Sequence, residues 1–130
     1  MYRLLLMLLF TFSVKVGFAQ VNETACKNFK TGIFAYKDSA NTIWEIKRTK
    51  NLQIETNKQT GLQKKHKIKW LNECEYRLTQ QWANKKEDRK YNQQQLTIKI
   101  IKTNSDSYEY ACACTNGGEE FKGLVVKISN

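Results

Sequence analysis

Residues 65–78 have the sequence KHKIKWLNECEYRL, in which two short alternating runs flank a polar turn. In the first run, Lys65–Trp70, lysines alternate with His66, Ile68 and Trp70, and in the second, Cys74–Leu78, charged residues alternate with apolar ones. A period of two is typical of a β-strand with one buried face. The inward-facing positions are predicted to be His66, Ile68, Trp70, Cys74, Tyr76 and Leu78. The stretch therefore predicts two strands of an antiparallel sheet.

The same period recurs on both sides of this stretch, in runs separated by turn-like polar clusters. The further runs are Phe29–Tyr36, Thr42–Arg48, Leu52–Thr56, Leu96–Ile101, Tyr108–Cys114 and Phe121–Ile128. Gly32 predicts a bend or bulge in the first of them, and Asn116-Gly117 is the strongest hairpin signal in the chain. About eight strands at this spacing predict an all-β antiparallel meander, either a curved sheet or a small lipocalin-like barrel. A two-sheet sandwich is the alternative.

One segment, Trp82–Gln95, does not follow the alternating pattern. It is polar and contains no β-branched residue. Because long connections without structure are uncommon inside compact domains, we predict a short exposed helix at 82–92 or a flap. The whole chain of 130 residues has room for one domain.

The first 19 residues have the pattern of an export signal. Arg3 precedes an apolar run, Leu4–Val14, and Gly17 and Ala19 occupy the −3 and −1 positions of a cleavage site. We expect cleavage near Ala19 or Gln20, which leaves residues 20–130 as a single β domain in the periplasm or the medium.

A retained membrane anchor is the weaker alternative. Lys15 interrupts the apolar run, which is shorter than the ~20 residues that a membrane-spanning helix needs. We therefore expect no transmembrane segment after cleavage.

Several short motifs occur in the same order as in a known group of proteins. They are Cys26-x-x-Phe29-x-Thr31-Gly32-x-Phe34, Ile54-Glu55, Trp70-x-Asn72-x-Cys74-Glu75-Tyr76-x-Leu78, Ile98-Lys99-Ile100, Ser107-Tyr108-Glu109-Tyr110 and Phe121-Lys122-Gly123. With them the chain resembles small exported proteins of flavobacteria and other Bacteroidota, many of which are labelled "DNA topoisomerase IV". The resemblance covers nearly all of the chain after the signal, and it implies no specific activity. A topoisomerase needs large DNA-gating domains and a cytoplasmic address, and this chain has neither.

Four cysteines in an exported chain allow three full disulfide pairings. The first choice is Cys26–Cys74, which stabilises by about 4 kcal/mol in the chain-entropy model of loop closure. Cys112 and Cys114 depart from the family pattern. On an extended strand they point to the same side about 6.6 Å apart, too far for a relaxed direct bridge. Their pairing is left open.

Catalytic and metal-binding patterns are weak in this sequence. The C-x-C pair suits a soft metal, but the chain has one histidine, His66, and a complete zinc site wants four ligands. A hydrogen-bonded core or rim histidine is a better interpretation of His66 than a general base. No nucleophile elbow or phosphate-binding glycine motif occurs. We expect a protein that is not an enzyme and has no catalytic residue, metal or cofactor.

The formal net charge is +10, of which two charges leave with the signal. The densest basic cluster contains Lys64, Lys65, Lys67 and Lys69 and has no acidic residue among them. Such lysines serve either as a soluble sheet edge or as an anion-binding face. The export signal argues against a nucleic acid as the biological partner.

Two functions remain as hypotheses. The first is a non-enzymatic binding module, expected to be a monomer, that holds a small apolar or amphipathic ligand. Its expected ligand-binding residues are Trp44, Trp70, Tyr76, Tyr108 and Tyr110. The alternative is a structural or inhibitor-like protein whose basic face binds an anionic glycan, lipid or protein. A cavity in the interior favours the first hypothesis, and an interior filled by side chains favours the second.

Overall fold

Eight antiparallel strands follow one another around a closed barrel in a computed structural model that describes residues 21–113 and 120–130. The strands are β1 (Gly32–Lys37), β2 (Ile43–Arg48), β3 (Leu52–Asn57), β4 (Gln63–Asn72), β5 (Glu75–Ala83), β6 (Gln95–Thr103), β7 (Ser107–Cys112) and β8 (Phe121–Ser129). Each strand pairs with the next one in sequence, and β1 pairs with β8 to close the ring. The meander is thus confirmed as a barrel, not a sandwich, and the Asn116-Gly117 turn lies outside the described residues.

Gly32 lies at the seam between the first and last strands. Its φ of +129° is a conformation that side chains other than glycine rarely adopt, and a Cβ there would meet the Ser129 carbonyl oxygen at 2.6 Å. The register of β1 against β8 shifts between Ile33 and Phe34. The bulge that Gly32 predicts is therefore present where the barrel closes.

One end of the barrel is covered by a short helical segment, residues 22–29, which we call the plug. It consists of α1 (Glu23–Cys26) and one turn of 3₁₀-helix (Lys27–Phe29). The plug buries Phe29, whose ring lies 5.1 Å from the ring of Tyr108 between centroids. The sequence pattern assigned Phe29 to the first strand, and this is wrong because the alternating run begins only at Gly32.

A disulfide attaches the plug to the barrel wall. Cys26 and Cys74 are bonded, with their Cα atoms 5.3 Å apart, as predicted. Cys112 is also disulfide-bonded, and Cys114 lies outside the described residues. Strand β7 ends at Cys112, so the predicted geometry of the C-x-C pair lies partly outside the described residues.

The other end of the barrel carries a second short segment. Strand β5 continues to Ala83, so Trp82 belongs to the sheet and not to a loop. The predicted short helix is a 3₁₀-helix, Lys86–Tyr91, which we call the flap. No helix in the described part of the chain is long and apolar enough to cross a membrane.

Strand β3 turns its polar residues toward the interior. Gln53 and Asn57 are buried, whereas Leu52 is exposed on the outer surface. The short β2–β3 hairpin sets this register, because it places Gln53 directly opposite the inward-facing Arg48. A shift of one residue would exchange the two faces of the strand. The interior of the barrel therefore contains a polar stripe.

Candidate functional site

A cavity of about 550 Å³ occupies the barrel between the plug and the flap. Its walls come from all eight strands, and Asp88 and Tyr91 of the flap stand at its mouth. Pockets that hold small molecules usually measure roughly 300–1,000 Å³. The interior is thus large enough for a small ligand.

The two sides of the cavity differ in chemistry. The polar wall comes from β3, β4 and one position of β5, and its residues are Gln53, Glu55, Lys64, His66 and Gln80. The apolar wall comes mainly from β5, β6 and β8, and its residues are Leu78, Leu96, Ile98, Phe121 and Val125. An interior divided in this way suits a molecule with an apolar body and one polar group.

Below the cavity, the guanidinium of Arg48 is buried and is hydrogen-bonded through each of its three nitrogens. It donates to the Phe29 carbonyl at 2.8 Å and to the hydroxyls of Tyr76 and Tyr108 at 3.2 and 3.0 Å. Its Cζ also lies 4.7 Å from the ring centroids of both Phe34 and Tyr76. Arginine stays charged at any ordinary pH. Arg48 therefore joins the plug to the floor of the cavity through one buried cation.

A hydrogen-bonded chain leads from this cation to the cavity. Arg48 Nε donates to Gln53 Oε1 at 2.7 Å, and Gln53 Nε2 donates to Glu55 Oε1 at 2.7 Å. Because the amide oxygen of Gln53 accepts from the guanidinium, its nitrogen is the end that faces Glu55. The Gln53 amide thus connects the Arg48 guanidinium to the Glu55 carboxylate through two hydrogen bonds, and its dipole is oriented by the positive charge.

Glu55 and His66 lie side by side on the polar wall. Glu55 Oε2 is 3.6 Å from His66 Nε2 and 3.5 Å from the Tyr36 hydroxyl. Burial acts to raise the pKa of Glu55, but its contact with His66, the bond from Gln53 and the charge of Lys64 outweigh it and hold that pKa below its usual range. Glu55 is therefore ionised at neutral pH.

His66 is 6% exposed, and its Nε2 has no hydrogen-bond partner among the described residues. The prediction that His66 faces inward is confirmed. His66 thus lies in the core, with Glu55 Oε2 3.6 Å from its Nε2.

The mouth of the cavity is organised around Lys64. Its Nζ lies 3.8 Å from Asp88 Oδ1 and within 6 Å of the ring centroids of Trp44 and Tyr91. Gln80 holds the flap in place by donating to the Asp88 carbonyl at 2.9 Å. The flap is therefore tied to the rim by side chains of β4 and β5.

Tyrosines of the interior should resist ionisation. Burial raises the pKa of Tyr36 and Tyr76 well above the usual value, and raises that of Tyr110 to about 12. An unfolded chain releases these protons near pH 10. The stability that they contribute is thus fully present below about pH 10 and is lost as the pH rises toward the folded-state values.

We expect the 295 nm tyrosinate absorbance of these three phenols to appear only together with the loss of circular dichroism above pH 10. Tyr110→Phe should lower this 295 nm absorbance change by the contribution of one phenol. Ionisation of all three phenols below pH 12 with an unchanged circular dichroism spectrum would contradict the expectation.

The aromatic residues expected to bind a ligand separate into two groups. Tyr76 and Tyr110 line the cavity. Tyr108 is wholly buried beneath the cavity, Trp70 packs against Tyr76 with 4.8 Å between ring centroids, and Trp44 donates from Nε1 to Asp38 at 2.9 Å. These last three do not line the cavity.

The four lysines of the expected anion-binding cluster do not share one face. Lys64 faces the cavity. Lys65, Lys67 and Lys69 point outward, and Lys69 stands directly opposite Arg77 of β5. Only these three belong to the basic outer surface, because the alternation of β4 turns Lys64 the other way.

Sequence reasoning missed Arg48, Gln53, Glu55 and Gln80 as residues of the site. The strand register would have revealed them, since Arg48, Gln53, His66 and Gln80 lie directly opposite one another on successive strands. Within the described ranges, no group of three His, Cys, Asp or Glu side chains is placed to hold a metal ion.

Comparisons of the chain with protein-family models, curated proteins and solved structures find no match. The function is therefore argued from the site.

Proposed function

We propose that this protein is a non-enzymatic, lipocalin-like binding module that holds a small amphipathic ligand inside its barrel. The observation that carries the proposal is the cavity of about 550 Å³ with one polar and one apolar wall. An interior filled by side chains would have left no room for a ligand.

The apolar wall supplies the affinity in this proposal. Burying apolar surface stabilises a complex by roughly 25 cal/mol per Å² removed from water. Leu78 and Ile98 are buried and face the cavity, so an apolar ligand body there would displace water from both. The polar wall would fix the ligand's orientation through its single polar group.

We further propose that the protein acts outside the cytoplasm, in the periplasm or the medium. The Cys26–Cys74 disulfide supports this, because such bonds persist mainly in oxidising compartments. The apolar run Leu4–Val14 behind Arg3 supports it as well.

Filling the cavity should abolish binding. Leu78→Trp adds a large side chain on the apolar wall, and we expect it to weaken binding of the neutral fluorescent probe N-phenyl-1-naphthylamine by at least about tenfold. Ile98→Trp, on the neighbouring strand, should have the same effect. The measurement is a fluorescence titration of each purified variant.

Val126→Trp is the matched control, since Val126 lies on the outer surface of β8 and is 37% exposed. We expect it to bind the probe like the wild type. Equal binding by all four proteins would mean that the probe does not enter the barrel, and the proposal would fail.

A further inference from the structure

One buried atom on the cavity wall, His66 Nε2, lacks a hydrogen-bond partner among the described residues, and the neighbouring Glu55 Oε2 has only a long one. Glu55 Oε1 accepts a short bond from Gln53, but Oε2 has only the 3.5 Å contact with the Tyr36 hydroxyl and the 3.6 Å approach of His66. His66 Nε2 has no hydrogen-bond partner in the described part of the chain. Buried polar groups are usually hydrogen-bonded. These two adjacent atoms therefore suit a polar group of a ligand that bonds to both of them.

The side chains that line the cavity do not share the protein's excess of positive charge. The chain has a formal net charge of +10. The cavity is lined by two carboxylates, Glu55 and Asp88, and by one ammonium, Lys64. Lys64 and Asp88 pair with each other at the mouth. Glu55 remains deeper inside as a negative charge, which Lys64 on the neighbouring strand and Arg48, through Gln53, support from a distance.

We propose that the ligand is an amphipathic amine whose ammonium group lies in the cavity and donates to both Glu55 Oε2 and His66 Nε2. This inference rests on the proposed function, and it names the class of ligand. An ammonium has three donors and no acceptor, so it can donate to the carboxylate oxygen and to an unprotonated imidazole nitrogen together. The bond to Glu55 is charge-assisted and about twice as strong as a neutral one.

Other head groups fit the site less well. A carboxylate offers only acceptors and would stand beside the negative charge of Glu55. An alcohol can bridge the two atoms but brings no charge. The overall positive charge of the protein would favour an anionic ligand at a distance. A preference for the amine would therefore originate at Glu55 and not in the net charge.

The test compares octylamine, octanol and octanoate by isothermal titration calorimetry at pH 7 on the full protein. We expect octylamine to bind at least about tenfold more tightly than either of the other two. In Glu55→Gln, the affinities for octylamine and octanol should become nearly equal while that for octanol is unchanged. Glu45→Gln is the matched control, because Glu45 lies on the outer side of β2 beside Lys58.

Each outcome is decisive. If octanol or octanoate binds the wild type as tightly as octylamine, the amine proposal is wrong while the binding module stands. If the preference survives in Glu55→Gln, or is lost in Glu45→Gln, the ammonium does not bind at Glu55. If no octyl compound binds, both proposals fail together. The wild-type comparison does not depend on whether Glu55→Gln folds.

Discussion

Arg48→Met should lower the free energy of unfolding by about 3 kcal/mol. The variant keeps an apolar stem but removes the donors to the Phe29 carbonyl, Gln53 and both tyrosine hydroxyls. The Phe29 carbonyl and Gln53 Oε1 stay buried without this donor, whereas the two tyrosine hydroxyls keep the 2.9 Å bond that joins them. A buried acceptor without a donor costs more than the bond itself was worth. Because a typical domain is stable by only about 5–15 kcal/mol, the loss is large. Urea denaturation followed by tryptophan fluorescence measures it.

The control for this substitution is Arg77→Met. Arg77 points outward from β5, directly opposite Lys69, so its removal also relieves a like-charge contact. We expect a change within about 0.5 kcal/mol. If both variants lose the same small amount, Arg48 does not hold the plug to the barrel.

Removing the Cys26–Cys74 bond, by replacing both residues with alanine, should have the second large effect. The bond closes a loop with a sequence separation of 48, and the chain-entropy model assigns about 4 kcal/mol to such a closure. We expect a lower urea midpoint and, under native conditions, faster proteolysis within the plug. Mass spectrometry of the fragments locates the cuts.

Asn22→Ala is the control that weakens helix α1 and leaves the Cys26–Cys74 disulfide intact. Asn22 caps α1 by accepting from the Thr24 amide at 3.0 Å, and its loss should cost about 1 kcal/mol or less. A double alanine variant no less stable than Asn22→Ala would show that the disulfide contributes little.

The fold was predictable from the sequence because each strand carries its own local signal. All eight alternating runs are strands of the barrel, and the inward positions His66, Ile68, Tyr76 and Leu78 are buried as the period of two predicts. The strand ends were less accurate. Trp82 extends β5 beyond its predicted end, because its strand partner Lys65 continues the ladder.

The polar wall of the site was much harder to predict. Alternation shows that a strand has two faces, but it does not show which face is inside. In β3 the apolar residues Leu52 and Ile54 would ordinarily be assigned to the core, and the register set by the β2–β3 hairpin reverses them. Glu55 enters the cavity for this reason. Such a reversal depends on pairing partners that are not adjacent in sequence.

The closure of β1 onto β8 has a consequence for the order of folding. Every other pairing in the barrel is a connection between consecutive strands, which forms early because little chain entropy is lost. The seam instead joins Ile33 to Ser129, across almost the whole described chain. Lys127 of β8 also donates to the Asn28 carbonyl of the plug at 2.7 Å. The barrel thus closes only after β8 has been synthesised. Until then, the growing sheet exposes two unpaired edge strands.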